Sequence, residues 1–211
     1  MTIHTLPAGP IETNGFLLTD AVRGEAVLVD APGGIWGLVE PILEREKCRL
    51  TELWLTHGHW DHIQDAAKVV RASGAKTRGH KADRHFFDTP EIMSAFLSSR
   101  ITLEKVGVDY WVEQGATFEA LGRTVEVRHV PGHCPGNVLF YFAKDGAAFV
   151  GDALFAGSVG RTDLPGGSRE QLMEAIRGQI YTMPDETTVY PGHGPATTVG
   201  AEKRGNPYVR G

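Results

Sequence analysis

Apolar positions along this chain fall into short runs broken by glycine-containing turns, with a few longer stretches at helical spacing. Residues 15–19 and 26–30 read as paired strands joined by a turn at Val22-Arg23-Gly24. Over 35–47, the positions of Ile35, Leu38, Val39, Ile42 and Leu43 predict a helix. Residues 53–55 form a short apolar strand. A second helix is predicted over 63–73, with Ile63, Ala66, Ala67 and Val70 on one face. The middle of the chain, 81–105, reads as helical with breaks, one of them at Pro90. Strands follow at 125–130, 138–143 and 147–150, then a helix at 169–180 and a strand at 187–190. Strands followed by a helix in each half suggest two similar halves packed together in a layered α/β protein.

The pattern matters for where the chemistry falls. Between the strand at 53–55 and the helix that follows lies Thr56-His57-Gly58-His59-Trp60-Asp61-His62, three imidazoles and a carboxylate within six positions. The strand at 125–130 ends at Pro131-Gly132-His133, the one at 147–150 at Gly151-Asp152, and the one at 187–190 at Pro191-Gly192-His193. Each candidate ligand thus lies just past the C-terminal end of a predicted strand, where function-bearing loops sit in α/β folds. Asp61 falls near a helix start, where a negative charge is favourable.

The set His57, His59, Asp61, His62, His133, Asp152 and His193 uses five of the chain's nine histidines. Imidazole and carboxylate suit zinc, iron or manganese. Seven ligands exceed what one catalytic ion can take while keeping an open position; shared between two ions they leave room for water. Two ions about 3.5–4 Å apart can lower the pKa of a water to about 7 and polarise a carbonyl. Counting two divalent ions, two aspartates, neutral histidines and one hydroxide gives a site of about +1. Such a site favours a developing oxyanion.

Bulk properties set limits. The 211 residues are enough for one sizeable core, with no linker-like stretch to mark a boundary. The formal charge is −5 and no basic tract is interleaved with aromatics, which argues against a nucleic-acid partner. No apolar run approaches a membrane span, and no signal peptide is visible, so the expectation is a cytoplasmic protein without a membrane partner. Cys48 and Cys134 do not make a disulfide framework and are expected as packing thiols. His4, His80, His85 and His129 lack ligand context and are expected to be structural or at the surface. Phe86, Phe87, Met93 and Phe96 are expected as core or a packed helix face.

Thr56 to His62, with His133, Asp152 and His193, resembles the metallo-β-lactamase superfamily, whose fold is a four-layer αββα sandwich. The resemblance implies one such domain over 1–211. His57, His59 and His133 would hold the first metal, and Asp61, His62 and His193 the second, with Asp152 bridging. The segment from Asp152 through Gly160-Arg161-Thr162-Asp163 to Pro165 resembles the loop of glyoxalase II-like hydrolases. Pro191-Gly192-His193-Gly194-Pro195, with Asn206-Pro207, looks like their single-domain bacterial subgroup. That resemblance implies hydroxyacylglutathione hydrolase chemistry, in which a metal-bridging hydroxide attacks the thioester of S-D-lactoylglutathione or a related acyl thioester. Asp61 and Asp152 would be catalytic, and the cofactor two divalent ions, zinc foremost. The partner would be a small-molecule thioester, glutathione conjugates included, and the protein a monomer or small homo-oligomer. Arg161 stands where larger glyoxalase II enzymes carry a lysine that meets glutathione; it would bind substrate there or pair with Asp163. Only 18 residues follow His193, too few for the helical C-terminal domain that grips glutathione in the two-domain enzymes. The alternative is a mononuclear iron oxidoreductase like the persulfide dioxygenases, which share the fold and a similar Gly-Arg-Thr-Asp loop.

Overall fold

The computed structural model describes residues 1–96 and 101–211. It comprises two compact units, Met1–Trp111 and Val112–Gly211, each built on a six-stranded sheet.

The first unit runs β1 (Thr2–Ala8), β2 (Thr13–Asp20), β3 (Glu25–Val29), α1 (Trp36–Glu46), β4 (Arg49–Trp54), α2 (Trp60–Ile63), α3 (Ala66–Ser73) and β5 (Lys76–His80). A 3-10 turn (Lys81–Asp83), α4 (Arg84–Asp88), a second 3-10 segment (Pro90–Phe96) and β6 (Tyr110–Val112), which reaches the unit boundary, complete it. The sheet order is β1-β2-β3-β4-β5-β6. β1, β2 and β3 pair antiparallel, while β3, β4 and β5 are parallel and are joined by helices. Leu17, Leu28, Leu50 and Leu53 on the strands form one buried cluster with Val39 and Leu43 of α1 and Val69 of α3. The alternate positions Phe16, Leu18, Val27, Val29 and Trp54 are buried as well, so these strands read as continuous apolar runs.

These strand directions decide what shares an edge. The C-terminal ends of β3, β4 and β5 lie on one edge, and the N-terminal end of antiparallel β2 lies there too. Thr13, Asp30, the histidine loop and Asp83 are therefore neighbours, although they are spread over 71 positions of sequence.

The second unit contains β7 (Thr117–Ala120), β8 (Arg123–His129), β9 (Val138–Phe142), β10 (Ala147–Gly151) and the small hairpin β11 (Leu154–Phe155) with β12 (Ser158–Val159). α5 (Arg169–Ala175) runs on through a π turn (Ile176–Ile180), followed by β13 (Thr188–Pro191), β14 (Thr197–Thr198) and α6 (Val199–Gly205). The sheet order is β14-β13-β10-β9-β8-β7. β8 and β10 both pair antiparallel to β9, and β13 is parallel to β10. β8, β10 and β13 hence point the same way and deliver His133, Asp152 and His193 to one edge. Val150, Leu172, Ile176, Ile180 and Val189 anchor this unit's core.

The predicted strands and helices are present, with adjusted ends. The helix predicted over 63–73 is split at Gln64-Asp65. Asp65 N–H donates to the Ala31 carbonyl and Asp65 Oδ2 accepts from Gly34 N–H, so the turn after His62 is pinned to loop 31–34. α1 stops at Lys47, which adopts a left-handed conformation with φ 54°. The helical expectation over 81–105 holds as far as Phe96; residues 97–100 lie outside the described residues, and 101–105 carry no regular structure. β1 and β5 are not apparent from the sequence pattern. β5 reads Lys-Thr-Arg-Gly-His, a composition that gains strand form only by pairing with β4. Among the described residues, no helix is long and apolar enough to cross a membrane.

Candidate metal centre

In the first unit the histidine loop leaves β4 and enters α2, so that four candidate donors project from one turn of chain. The His57 and His59 rings lie 4.7 Å apart between centroids, and His57 and His62 4.1 Å. The carboxylate Oδ2 of Asp61 is 3.3 Å from His62 Nε2. His57, His59, Asp61 and His62 are all buried.

Asp30, a residue absent from the sequence-derived set, organises this loop. It follows β3 and adopts a left-handed backbone with φ 59°, a conformation that Asp tolerates better than most residues. Its Oδ1 accepts from Thr56 N–H at 2.8 Å, and its Oδ2 accepts from the Thr56 hydroxyl at 2.7 Å and from His62 Nδ1 at 2.8 Å. Having given its proton to Asp30, the Thr56 oxygen accepts from His57 Nδ1 at 3.1 Å. Both rings are thereby held in the tautomer that protonates Nδ1 and leaves the Nε2 lone pair for a metal. Thr13, at the start of β2, donates its hydroxyl to Asp61 Oδ2 at 2.7 Å. The buried Asp83 accepts from Gly58 N–H at 2.8 Å. Asp30 and Asp83 add two acidic groups that the sequence-level charge count omits.

In the second unit Asp152 lies between two histidines. Its Oδ2 is 3.6 Å from His133 Nε2 and 3.5 Å from His193 Nε2. Two ligand atoms at about 2.0–2.2 Å from one tetrahedral ion stand roughly 3.3–3.6 Å apart, so these separations fit donors to a common ion. His133 Nδ1 donates to the Arg161 carbonyl at 2.8 Å, which again leaves Nε2 as the lone-pair nitrogen. The Asp152 N–H is held by the Asn137 side-chain oxygen at 3.2 Å. His193 is half-buried and meets Phe155 edge-on at 6.1 Å. The donor chemistry, the tautomers and the spacings fit divalent metal ions.

The loop that carries the Gly-Arg-Thr-Asp run has a legible physical purpose. A Cβ at Gly160 would collide with the Asp152 carbonyl and lie 3.2 Å from His133 Nδ1, so only glycine lets the loop come close enough to present the Arg161 carbonyl. The Arg161 guanidinium makes two hydrogen bonds of 2.7 Å to Asp163, both side chains being largely exposed. That pairing holds the Asp163 carboxyl down at about 2 and pushes Arg161 up. Asn206 and Glu202 tie the same region to α6: Asn206 donates to the Ser158 carbonyl and to Glu202, and Glu202 accepts from Gly157 N–H.

The remaining histidines have local partners. His4 meets Glu46 at 3.1 Å, His129 Nε2 donates to the Pro135 carbonyl at 2.8 Å, His80 caps Ala82, and His85 packs on Phe86. Cys48 and Cys134 are buried thiols, and Phe86, Phe87 and Met93 are buried as well; the Phe96 side chain lies outside the described residues. Asp30 was findable: Val27-Leu28-Val29-Asp30 is an apolar strand ending in an acid, the signal that marks Asp152. Asp83, in a polar stretch, carries no such signal.

A model of the metallo-beta-lactamase superfamily matches residues 8–193. The hydroxyacylglutathione hydrolase GloC of Haemophilus influenzae is 34% identical over 212 residues, covering 99% of this chain and 98% of that protein. The crystal structure of the BLEG-1 B3 metallo-β-lactamase is 33% identical, with a TM-score of 0.91 and 100% of both chains covered. That of TTHA1623 in a di-iron-bound form is 32% identical, with a TM-score of 0.84, covering 98% of this chain and 100% of that one. The chain belongs to the metallo-β-lactamase superfamily, and has its fold and its metal-dependent hydrolase chemistry.

Proposed function

We propose that this protein is a two-metal thioester hydrolase of the glyoxalase II type, acting on S-D-lactoylglutathione or a related acyl thioester. On this reading His57, His59 and His133 hold one ion, Asp61, His62 and His193 the other, and Asp152 both. The observation that carries it is the donor set, seven His and Asp side chains at strand ends, three of whose imidazoles are fixed through Nδ1 so that Nε2 is the ligand atom. The GloC relative, at 34% identity over nearly the whole of both chains, supports the thioester as substrate. The di-iron form of TTHA1623 supports two ions and leaves zinc and iron both in play.

Bound there, two divalent ions supply Lewis acidity and a water acidified to about neutral pH. The protein's own part is positioning. Asp30 holds the His57 and His62 rings, Thr13 orients the Asp61 carboxylate, and the Arg161 carbonyl orients His133. Hydrolysis adds water across the C–S bond and yields a carboxylate, a thiol and a proton. Arg161 is the candidate contact for an anionic substrate; to serve, its guanidinium must exchange Asp163 for the substrate carboxylate.

The test is metal content of protein purified without added metal, followed by thiol release from S-D-lactoylglutathione. About two ions per chain with thiol release is expected; one ion without release sinks the reading. The BLEG-1 relationship favours a second reading, β-lactam hydrolysis, which a chromogenic cephalosporin assay decides. Oxygen uptake with glutathione persulfide in iron-loaded protein would instead favour the mononuclear oxidoreductase.

A further inference from the structure

Gly58 separates His57 from His59, and glycine is the softest joint a backbone can offer. A ligand pair hinged on a free glycine would have to surrender that freedom on each binding event, which weakens binding. Two features of the structure remove the freedom in advance. The Gly58 N–H donates to Asp83 Oδ2 at 2.8 Å, and Asp83 is fully buried. Phe86 packs directly on Gly58: a Cβ there would lie 2.6 Å from Phe86 Cβ. The same Phe86 ring meets His59 edge-on at 5.5 Å between centroids, interplanar angle 70°. The contact that demands glycine at 58 is therefore also the one that immobilises it.

We propose that Asp83 and Phe86 are positioning residues that hold the Gly58 peptide so that His57 and His59 stay converged on one ion. The inference rests on the reading of His57 and His59 as ligands of the same ion. It gives a purpose to the segment after β5. That strand is parallel to β4, so the 3-10 turn and α4 that follow it emerge at the edge where the histidine loop sits. Asp30 cannot do this work, because its ties reach Thr56 and His62 and bypass the Gly58 peptide.

The experiment compares wild type, Asp83→Ala, Asp83→Asn and Phe86→Ala. Zinc affinity is measured by competition with a chromophoric chelator, the visible spectrum after cobalt(II) loading, and the melting temperature without metal. Asp83→Ala and Phe86→Ala are expected to bind zinc at one site about 10–100-fold less tightly and to shift the cobalt bands. Asp83→Asn is expected to stay near wild type, because its amide oxygen still accepts from Gly58 N–H. Wild-type affinity and cobalt bands in both Asp83→Ala and Phe86→Ala would overturn the proposal, as would an Asp83→Asn variant as weak as Asp83→Ala. Should Asp83→Ala fail to fold, the other two variants decide. A wild type that holds a single ion sinks the two-ion reading, while the affinity ratio between wild type and variants still decides this inference.

Discussion

The two units supply candidate ligands in contrasting ways. The first concentrates four candidate donors between His57 and His62; the buried Asp30 carboxylate serves two of their rings at once, and the buried Asp83 holds the peptide between His57 and His59. The second spreads three donors over separate strand ends, and ties His133 and Asp152 through neutral groups, the Arg161 carbonyl and the Asn137 amide. A clustered set lets one acid govern several ligands. A dispersed set gives each ligand its own support, so that a single support loss stays local.

Substitutions put that contrast to the test. The largest effect is expected where a proposed ligand itself is lost: Asp152→Ala should lower turnover by about 10³-fold or more, since Lewis-acid stabilisation is worth several kcal/mol. Full activity in that variant would remove the basis for the bridging role. Next comes the shared support. Asp30→Asn keeps the shape but loses an acceptor for Thr56 or His62, and should weaken metal binding about 10–100-fold, read by chelator competition. If Asp30→Asn and the local Asn137→Ala cost the same, the hub description fails. Gly160→Ala forces a methyl group against the Asp152 carbonyl and should cost about 1–3 kcal/mol in denaturant unfolding. The smallest effect belongs to the exposed Arg161–Asp163 pair. Arg161→Ala should return the Asp163 carboxyl from about 2 toward its ordinary 3.8, measured by NMR titration. Because the folded-state value is depressed, the pair's contribution is present above about pH 4 and disappears as pH falls through about 2. At neutral pH, kcat/KM for an anionic thioester reports separately whether Arg161 meets substrate.

The same contrast explains what was legible. Clustered donors announce themselves, because no packing requirement puts three histidines and an aspartate within six positions. His133, Asp152 and His193 became legible only through the cluster and their strand-end placement. Long apolar elements such as α1 and β9 were readable from periodicity. β5 and the small strands were not, because pairing creates them against weak local preference. Asp30 and Asp83 act across 26 and 25 residues of sequence respectively, and the parallel order β3-β4-β5, which brings them together, is a property of the sheet rather than of any window of sequence.

The left-handed backbone of Asp30 has a consequence for how this chain tolerates change. At that position folding and metal chemistry ask for different residues: the backbone would be most relaxed with glycine, while the loop needs a carboxylate. Asp30→Gly would recover part of the lost hydrogen-bond stability through relief of strain, but it removes the buried acceptor of the Thr56 N–H, the Thr56 hydroxyl and His62 Nδ1, so its net effect is a loss of stability. A screen for retained metal would discard it. Position 30 is thus a site where relaxing the backbone would erode the centre.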